Sequence, residues 1–229
     1  MSGVDISTAL AQVRSQIAAA TAAAGRDPQA VRLVAVSKTV GAEAVWRAMA
    51  AGQTEFGENQ VQELVCKAQA VPGPCTWHLI GHLQGNKVRL AIRAAAWIHS
   101  ADSVALLERI DRIAGEEGRF PAVLLQVNLS GEASKSGLHP GQAEGALRCA
   151  LRCRNLSCRG LMVMAPFDAP EAQLHTVFGG LRQLRDRLQD STGTALPELS
   201  MGMSGDFAVA IREGATLVRI GTAIFGPRA

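Results

Sequence analysis

The chain has 229 residues, 48% of them apolar and 19% charged, with a formal net charge of +3. So small a positive charge, with arginines scattered along helical segments and no interleaved aromatics, excludes nucleic acid as a partner. No run reaches membrane-spanning length and no basic-then-apolar leader is visible, so no membrane partner and a cytoplasmic location are expected.

In chain order, Ile6, Leu10, Val13 and Ile17 recur at helical spacing over residues 5–24 and stop at Gly25, a natural left-handed terminator. This predicts a helix before any strand. Strand-like apolar runs then recur at about 32–37, 54–56, 77–80, 97–99, 122–128, 159–164, 197–200 and 216–220. Helical patterns lie between them, clearest at Leu174, Val177, Phe178, Leu181, Leu184 and Leu188. Eight strands alternating with helices predict an α/β fold, a (β/α)8 TIM barrel with an extra N-terminal helix. A doubly wound open sheet is the alternative, but no Gly-x-Gly-x-x-Gly opens the first helix. Nothing linker-like divides residues 1–229, which read as a single domain. Little chain follows the eighth run, so the N-terminal helix is expected to fill some of the space of the last barrel helix. The five cysteines (Cys66, Cys75, Cys149, Cys153, Cys158) lack paired Cys-x-x-Cys spacing and read as small apolar fillers, with no metal site expected.

Strand parity selects the residues that face inward, because alternate side chains share a face. Val34, Val36 and Lys38 go together, as do His78 with Ile80, Gln126 with Asn128, and Leu217 with Arg219. Polar groups therefore gather at strand ends: Lys38, Asn59, His78, Asn128, Ser204 and Arg219. In a parallel barrel that end is the binding mouth.

Gly202-Met203-Ser204-Gly205-Asp206 follows the seventh run, and Gly221-Thr222 follows the eighth. Loops after strands seven and eight form the usual barrel phosphate site. Glycines let backbone N–H groups approach the anion, while Ser204 and Thr222 add hydroxyl donors. Asp206 would repel a dianion and is expected to cap the helix that begins there. A phosphate opposite a strand-end lysine points to pyridoxal 5′-phosphate (PLP). Of four lysines, Lys67 sits on a helical pattern, and Lys87 and Lys135 lie in polar loops. Only Lys38 is led into the barrel by an apolar strand, where desolvation and nearby Arg219 favour a reactive amine. The residues alone leave two roles open for it, Schiff-base former or phosphate counter-charge. His78 is likewise open between a site residue and a core histidine, and Asn59 between a site residue and a turn former.

Several separate motifs, in order, resemble the YggS/PROSC family of pyridoxal phosphate homeostasis proteins nearly end to end. They are Val34-Ala35-Val36-Ser37-Lys38, Phe56-Gly57-Glu58-Asn59 with Val61-Gln62-Glu63, and Trp77-His78-Leu79-Ile80-Gly81-His82-Leu83-Gln84 with Asn86-Lys87. To these add Ser134-Lys135-Ser136-Gly137, Arg159-Gly160-Leu161-Met162, Met201-Gly202-Met203-Ser204 and Val218-Arg219-Ile220-Gly221-Thr222-Ala223-Ile224-Phe225-Gly226. The resemblance implies a barrel similar to the N-terminal domain of alanine racemase, with PLP held as an aldimine on Lys38. It implies Arg219 at the pyridine nitrogen, Ser204, Gly221 and Thr222 on the phosphate, and Asn59 and His78 flanking the ring. Two departures are visible: Gln60 stands where many members have tyrosine, and Gly205 precedes Asp206 where many carry another acid. Ser134-Lys135-Ser136-Gly137 reads as a loop over the mouth.

Two functions of different class follow. One is a non-catalytic protein that stores, buffers or delivers PLP, a monomer whose recipients would be PLP-dependent apo-enzymes. The other is an amino-acid racemase or related small PLP enzyme. Racemisation needs acid/base groups on both faces of the substrate. Lys38 supplies one, and a chain without tyrosine or a second domain lacks the partner that alanine racemase uses. An arginine at the pyridine nitrogen also disfavours its protonation and so weakens the electron sink. The carrier is the favoured reading; a phosphate-binding barrel without PLP is a third.

Overall fold

In the computed structural model, which describes residues 5–129 and 136–227, all eight predicted runs form short strands. They are β1 (Arg32–Val36), β2 (Glu55–Glu58), β3 (Thr76–Leu79), β4 (Trp97–Ala101), β5 (Ala122–Gln126), β6 (Ser157–Met162), β7 (Glu198–Ser200) and β8 (Leu217–Ile220). Each pairs in parallel with the next, and β8 pairs back on β1 through Val34↔Arg219 and Ala35↔Ile220, closing an eight-stranded barrel. The predicted barrel is therefore the observed one. The ends differ from expectation by at most two residues. Strand β5 stops at Gln126 because Val127 turns away to bridge Leu138, and Asn128 N–H then donates to Leu138 C=O.

The helices are α1 (Ile6–Ala23), α2 (Ala42–Ala50), α3 (Val61–Ala70), α4 (Val88–Ala94), α5 (Val104–Glu116), α6 (Ala143–Arg152), α7 (Glu171–Thr192), α8 (Phe207–Arg212) and α9 (Thr222–Phe225). Helix α1 begins at Asp5, whose carboxylate accepts from Ser7 N–H at 3.1 Å, and ends where Gly25 takes φ 65°. Its buried stripe of Ile6, Leu10, Val13 and Ile17 packs on α8 and α9. Those two helices are only 6 and 4 residues long, so α1 covers sheet they leave open. None of the described helices is long and apolar enough to cross a membrane.

Two apolar regions result. The larger lies between strands and helices and includes Phe56, Phe178, Leu107 and Ile110. Burying each such side chain contributes about 1.5–3 kcal/mol. The smaller is a plug inside the barrel, made by Val34, Leu124, Met162 and Leu217 with Trp97 against it. At the N-terminal end of the barrel, Arg32 bonds Glu55 at 3.1 Å and Glu198 at 2.9 Å while lying over the Trp97 ring. The strands thus deliver a sealed lower barrel and leave their carboxyl ends for chemistry.

Candidate functional site

Lys38 is the second residue past β1, half-buried, and the backbone on both sides of it is pinned. Ser37 N–H donates to Gly57 C=O at 3.0 Å, and Ser37 Oγ donates to Glu58 Oε1 at 2.6 Å. The ammonium of Lys67, only 6% exposed, reaches Ser37 C=O at 2.5 Å and both Glu58 and Glu63 at 2.7 Å. Glu63 in turn accepts from the N–H of Thr39, which sits at φ 66°. A non-glycine residue at positive φ is unfavourable unless its surroundings hold it there. Burial raises the Glu58 carboxyl above its usual range, with hydrogen bonds from Lys67 and Ser37 pulling it back. Parity places Ser37 and Glu58 on the outer face of the sheet, under α3, while Lys38 points the other way.

Arg219 is the penultimate residue of the neighbouring strand β8 and is 4% exposed. Its Nη1 donates to Ser200 Oγ at 2.6 Å and its Nη2 to Val163 C=O at 3.0 Å. Both acceptors are neutral. Burial lowers the guanidinium to about 10, partly offset by the charge of Asp206. A buried cation on neutral acceptors is well matched to an anion or lone pair at the mouth.

The loops after β7 and β8 are laced to this arginine: its backbone N–H donates to Gly202 C=O at 2.9 Å. Gly202 has φ 92°, and a Cβ there would fall 2.7 Å from Ala210 Cβ. At Gly221 a Cβ would lie 2.9 Å from Val36 C=O, so the end of β8 presses against the end of β1. Both positions require glycine, one for its conformation and one for close approach. Ser204 is half-buried and Thr222 exposed at the start of α9. Asp206 precedes α8 as expected, but its carboxylate caps no helical N–H; it accepts from Met203 N–H and closes its own loop. Its φ of −135° and ψ of 1° lie outside the extended conformation that lets a capping side chain reach forward.

Arg219 lies on β8, and Lys38, Asn59, Ser204, Gly221 and Thr222 follow β1, β2, β7 and β8, four consecutive strands of the barrel. Asn59 is exposed, with its carbonyl against Gly81. His78 lies within β3, fully buried, with Nδ1 2.9 Å from His99 Nε2 and its ring stacked on Trp97. Lys87 ends a short turn and reaches Gln62. Ser134 and Lys135, half of the Ser134-Lys135-Ser136-Gly137 segment expected over the mouth, lie outside the described residues.

Sequence reasoning missed three contributors. Lys67 reads as an ordinary helical lysine, and its i, i+4 spacing from Glu63 was the only available signal. Glu58 is outward by parity and so outside a search for inward polar groups. His99 shares inward parity with Trp97 and stands level with the polar row, a signal that was available.

The family model of the alanine racemase N-terminal domain matches residues 9–229. A pyridoxal phosphate homeostasis protein of Pseudomonas aeruginosa is 45% identical over 221 residues, covering 96% of this chain and 94% of that protein. One of Escherichia coli K12 is 40% identical over 232 residues, covering 98% and 97%. Among solved structures, PipY of Synechococcus elongatus PCC7942 with PLP bound superposes with a TM-score of 0.86 at 43% identity, covering 96% of this chain and 100% of that one. An alanine racemase of Clostridium difficile 630 gives 0.74 at 11% identity, over 86% of this chain and 55% of that one, which is likeness of fold alone.

Proposed function

We propose a function from one premise: the chain belongs to the family of pyridoxal phosphate homeostasis proteins, built on the alanine racemase N-terminal-domain fold. It binds PLP and acts in homeostasis of that cofactor. The observation that supports a specific site is the pair of cations at the ends of hydrogen-bonded neighbours β1 and β8, each held by its own buried cluster.

The donor set fits a phosphorylated aromatic aldehyde. When bound, PLP supplies an aldehyde carbon open to amines and an electron-withdrawing ring. Lys38 offers the amine, on a backbone fixed through Ser37 and Thr39. Arg219 presents a guanidinium to the ring nitrogen and, staying protonated, opposes a second proton there. Ser204 and Thr222, with the N–H groups around Gly202 and Gly221, receive the phosphate. Asn59 borders the ring on the β2 side, and His78 supports it from within the barrel.

The protein is a carrier: it stores PLP and releases it to apo-enzymes, as a monomeric single-domain unit in the cytoplasm. An opposite-face acid is needed for turnover at an amino-acid α-carbon, and a chain without tyrosine has lost the residue alanine racemase uses there. Borohydride reduction of PLP-treated protein, followed by peptide mapping, should find the pyridoxyl group on the Lys38 peptide; recovery on Lys67 or Lys87 overturns the assignment. Alanine in deuterated water should keep its α-proton with catalytic amounts of protein. Exchange at enzymatic rates, on the order of 1–1000 per second, would replace the carrier with the racemase.

A further inference from the structure

Inside the barrel a row of polar side chains runs from Arg219 away from the mouth. Arg219 Nη1 lies 2.6 Å from Ser200 Oγ, and Ser200 Oγ lies 2.9 Å from His99 Nδ1. His99 Nε2 is 2.9 Å from His78 Nδ1, and the row ends at His78 Nε2, which makes no hydrogen bond but faces Glu55 Oε2 at 3.4 Å. Ser200, His99 and His78 are fully buried. The row leads from the mouth to the far end of the barrel, where Glu55 shares Arg32 with Glu198.

Its two ends fix the position of every hydrogen. A guanidinium only donates, so Ser200 Oγ accepts from Arg219. The single hydroxyl hydrogen of Ser200 then needs an acceptor in a buried site, and His99 Nδ1 is in place. With Nδ1 accepting, a neutral His99 carries its hydrogen on Nε2 and donates to His78 Nδ1. His78 therefore carries its own on Nε2, aimed at the Glu55 carboxylate, which only accepts. The reverse order would leave the Ser200 hydrogen unused and set a bare His78 nitrogen against Glu55. The charges agree with this order. Burial disfavours the imidazolium at both rings; His99 also faces His78, Arg219 and Arg32, while His78 faces Glu55, Glu198 and Arg32.

We propose that Ser200, His99 and His78 are positioning residues, a one-directional hydrogen-bond relay that ends facing the Glu55 carboxylate, holds Arg219 in place for the cofactor's ring nitrogen and keeps both imidazoles neutral. The role toward the ring rests on the PLP reading above; the order of the hydrogen bonds does not.

Long-range 15N–1H NMR on the protein without added PLP tests the order directly. Both histidines should show pyrrole-type Nε2 and pyridine-type Nδ1, unchanged between about pH 8 and 6, where an ordinary histidine titrates. An Nδ1–H tautomer or an ordinary titration at either ring overturns the relay. Ser200→Ala should release His99 into mixed tautomers, shift the absorbance of bound PLP and weaken PLP binding by about tenfold. Ser200→Thr, which keeps a hydroxyl, should restore all three. An alanine variant with unchanged His99 tautomer and unchanged PLP affinity overturns the positioning role. Wild-type protein that shows these tautomers but binds no PLP overturns the cofactor reading and leaves the hydrogen-bond order standing.

Discussion

Lys38 and Arg219 lie near the ends of neighbouring strands, yet the clusters that support them lie on opposite faces of the sheet and differ in charge. Under α3, Lys67, Glu58 and Glu63 are charged, and their hydrogen bonds go to Ser37 and Thr39, the residues flanking Lys38. Inside the barrel, Ser200 and His99 are neutral, and their row grips the Arg219 guanidinium itself. The difference suits the two tasks proposed for these residues. A lysine proposed to form and break a bond to its ligand needs a fixed backbone. An arginine that only sets the charge environment needs its donors aimed and its charge constant. Ion-paired clusters also stake more on each member than neutral ones do, because removing one partner strands a buried charge.

The largest expected effect isolates the task of Lys38 from its support. Lys38→Ala should abolish borohydride-fixable PLP while leaving the thermal midpoint of unfolding nearly unchanged, since a half-buried mouth residue contributes little packing. Lys67→Met should do the opposite first, lowering stability by about 3–5 kcal/mol in urea denaturation, because it strands Glu58 and Glu63. Adding Glu58→Gln should recover part of that loss by removing a stranded charge. A loss below about 1 kcal/mol for Lys67→Met would place the cluster among weak surface pairs and break the contrast.

These residues also mark what was legible in the sequence. The barrel was, because eight short β-rich runs between helical stripes admit few topologies, and strand parity put Lys38 and Arg219 on the inward face. The need for glycine after β7 and β8 was, because glycine at a strand end has a conformational meaning. The support for Lys38 was not. Lys67 and Glu58 are charged residues buried only because α3 packs on β2, and nothing in their local pattern separates them from a solvated helix face and a strand edge. His99 was readable by parity but carried no motif, and its partner Ser200 is 101 residues away. The capping role given to Asp206 failed on backbone geometry, which residue type does not disclose.

Effects of intermediate size concern the phosphate end. Ser204→Ala and Thr222→Ala should each weaken PLP retention by about 1.5–3 kcal/mol, the range for a hydrogen bond to a charged group. Pyridoxal, lacking the phosphate, should lose more than either variant and be nearly indifferent to both substitutions. Equal retention of pyridoxal and PLP in an equilibrium dialysis measurement would remove the phosphate from these loops. The two cations would then be the whole site.

The smallest effects are the pH slopes, and the two clusters should contribute them with opposite sign. Burial lowers His78 and, by more, His99 from the ordinary value of 6.5. Below pH 6.5 the unfolded chain therefore binds protons that the folded chain refuses, so stability falls as the pH drops through that value. The slope is at most about 1.4 kcal/mol per pH unit for each histidine. Glu58 is raised above its ordinary 4.5 by burial, with Lys67 and Ser37 opposing. Between 4.5 and its folded value the folded chain binds the extra proton, so this group adds stability as the pH drops. Urea denaturation from about pH 7.5 down to 4.5 should thus show an early decline that flattens at the acid end. His99→Gln should remove much of the early decline and leave the flattening; Glu58→Gln should do the reverse. If His99→Gln leaves the early slope intact, His99 is not neutral in the folded protein, and the constant charge inside the barrel that separates the two clusters is lost with it.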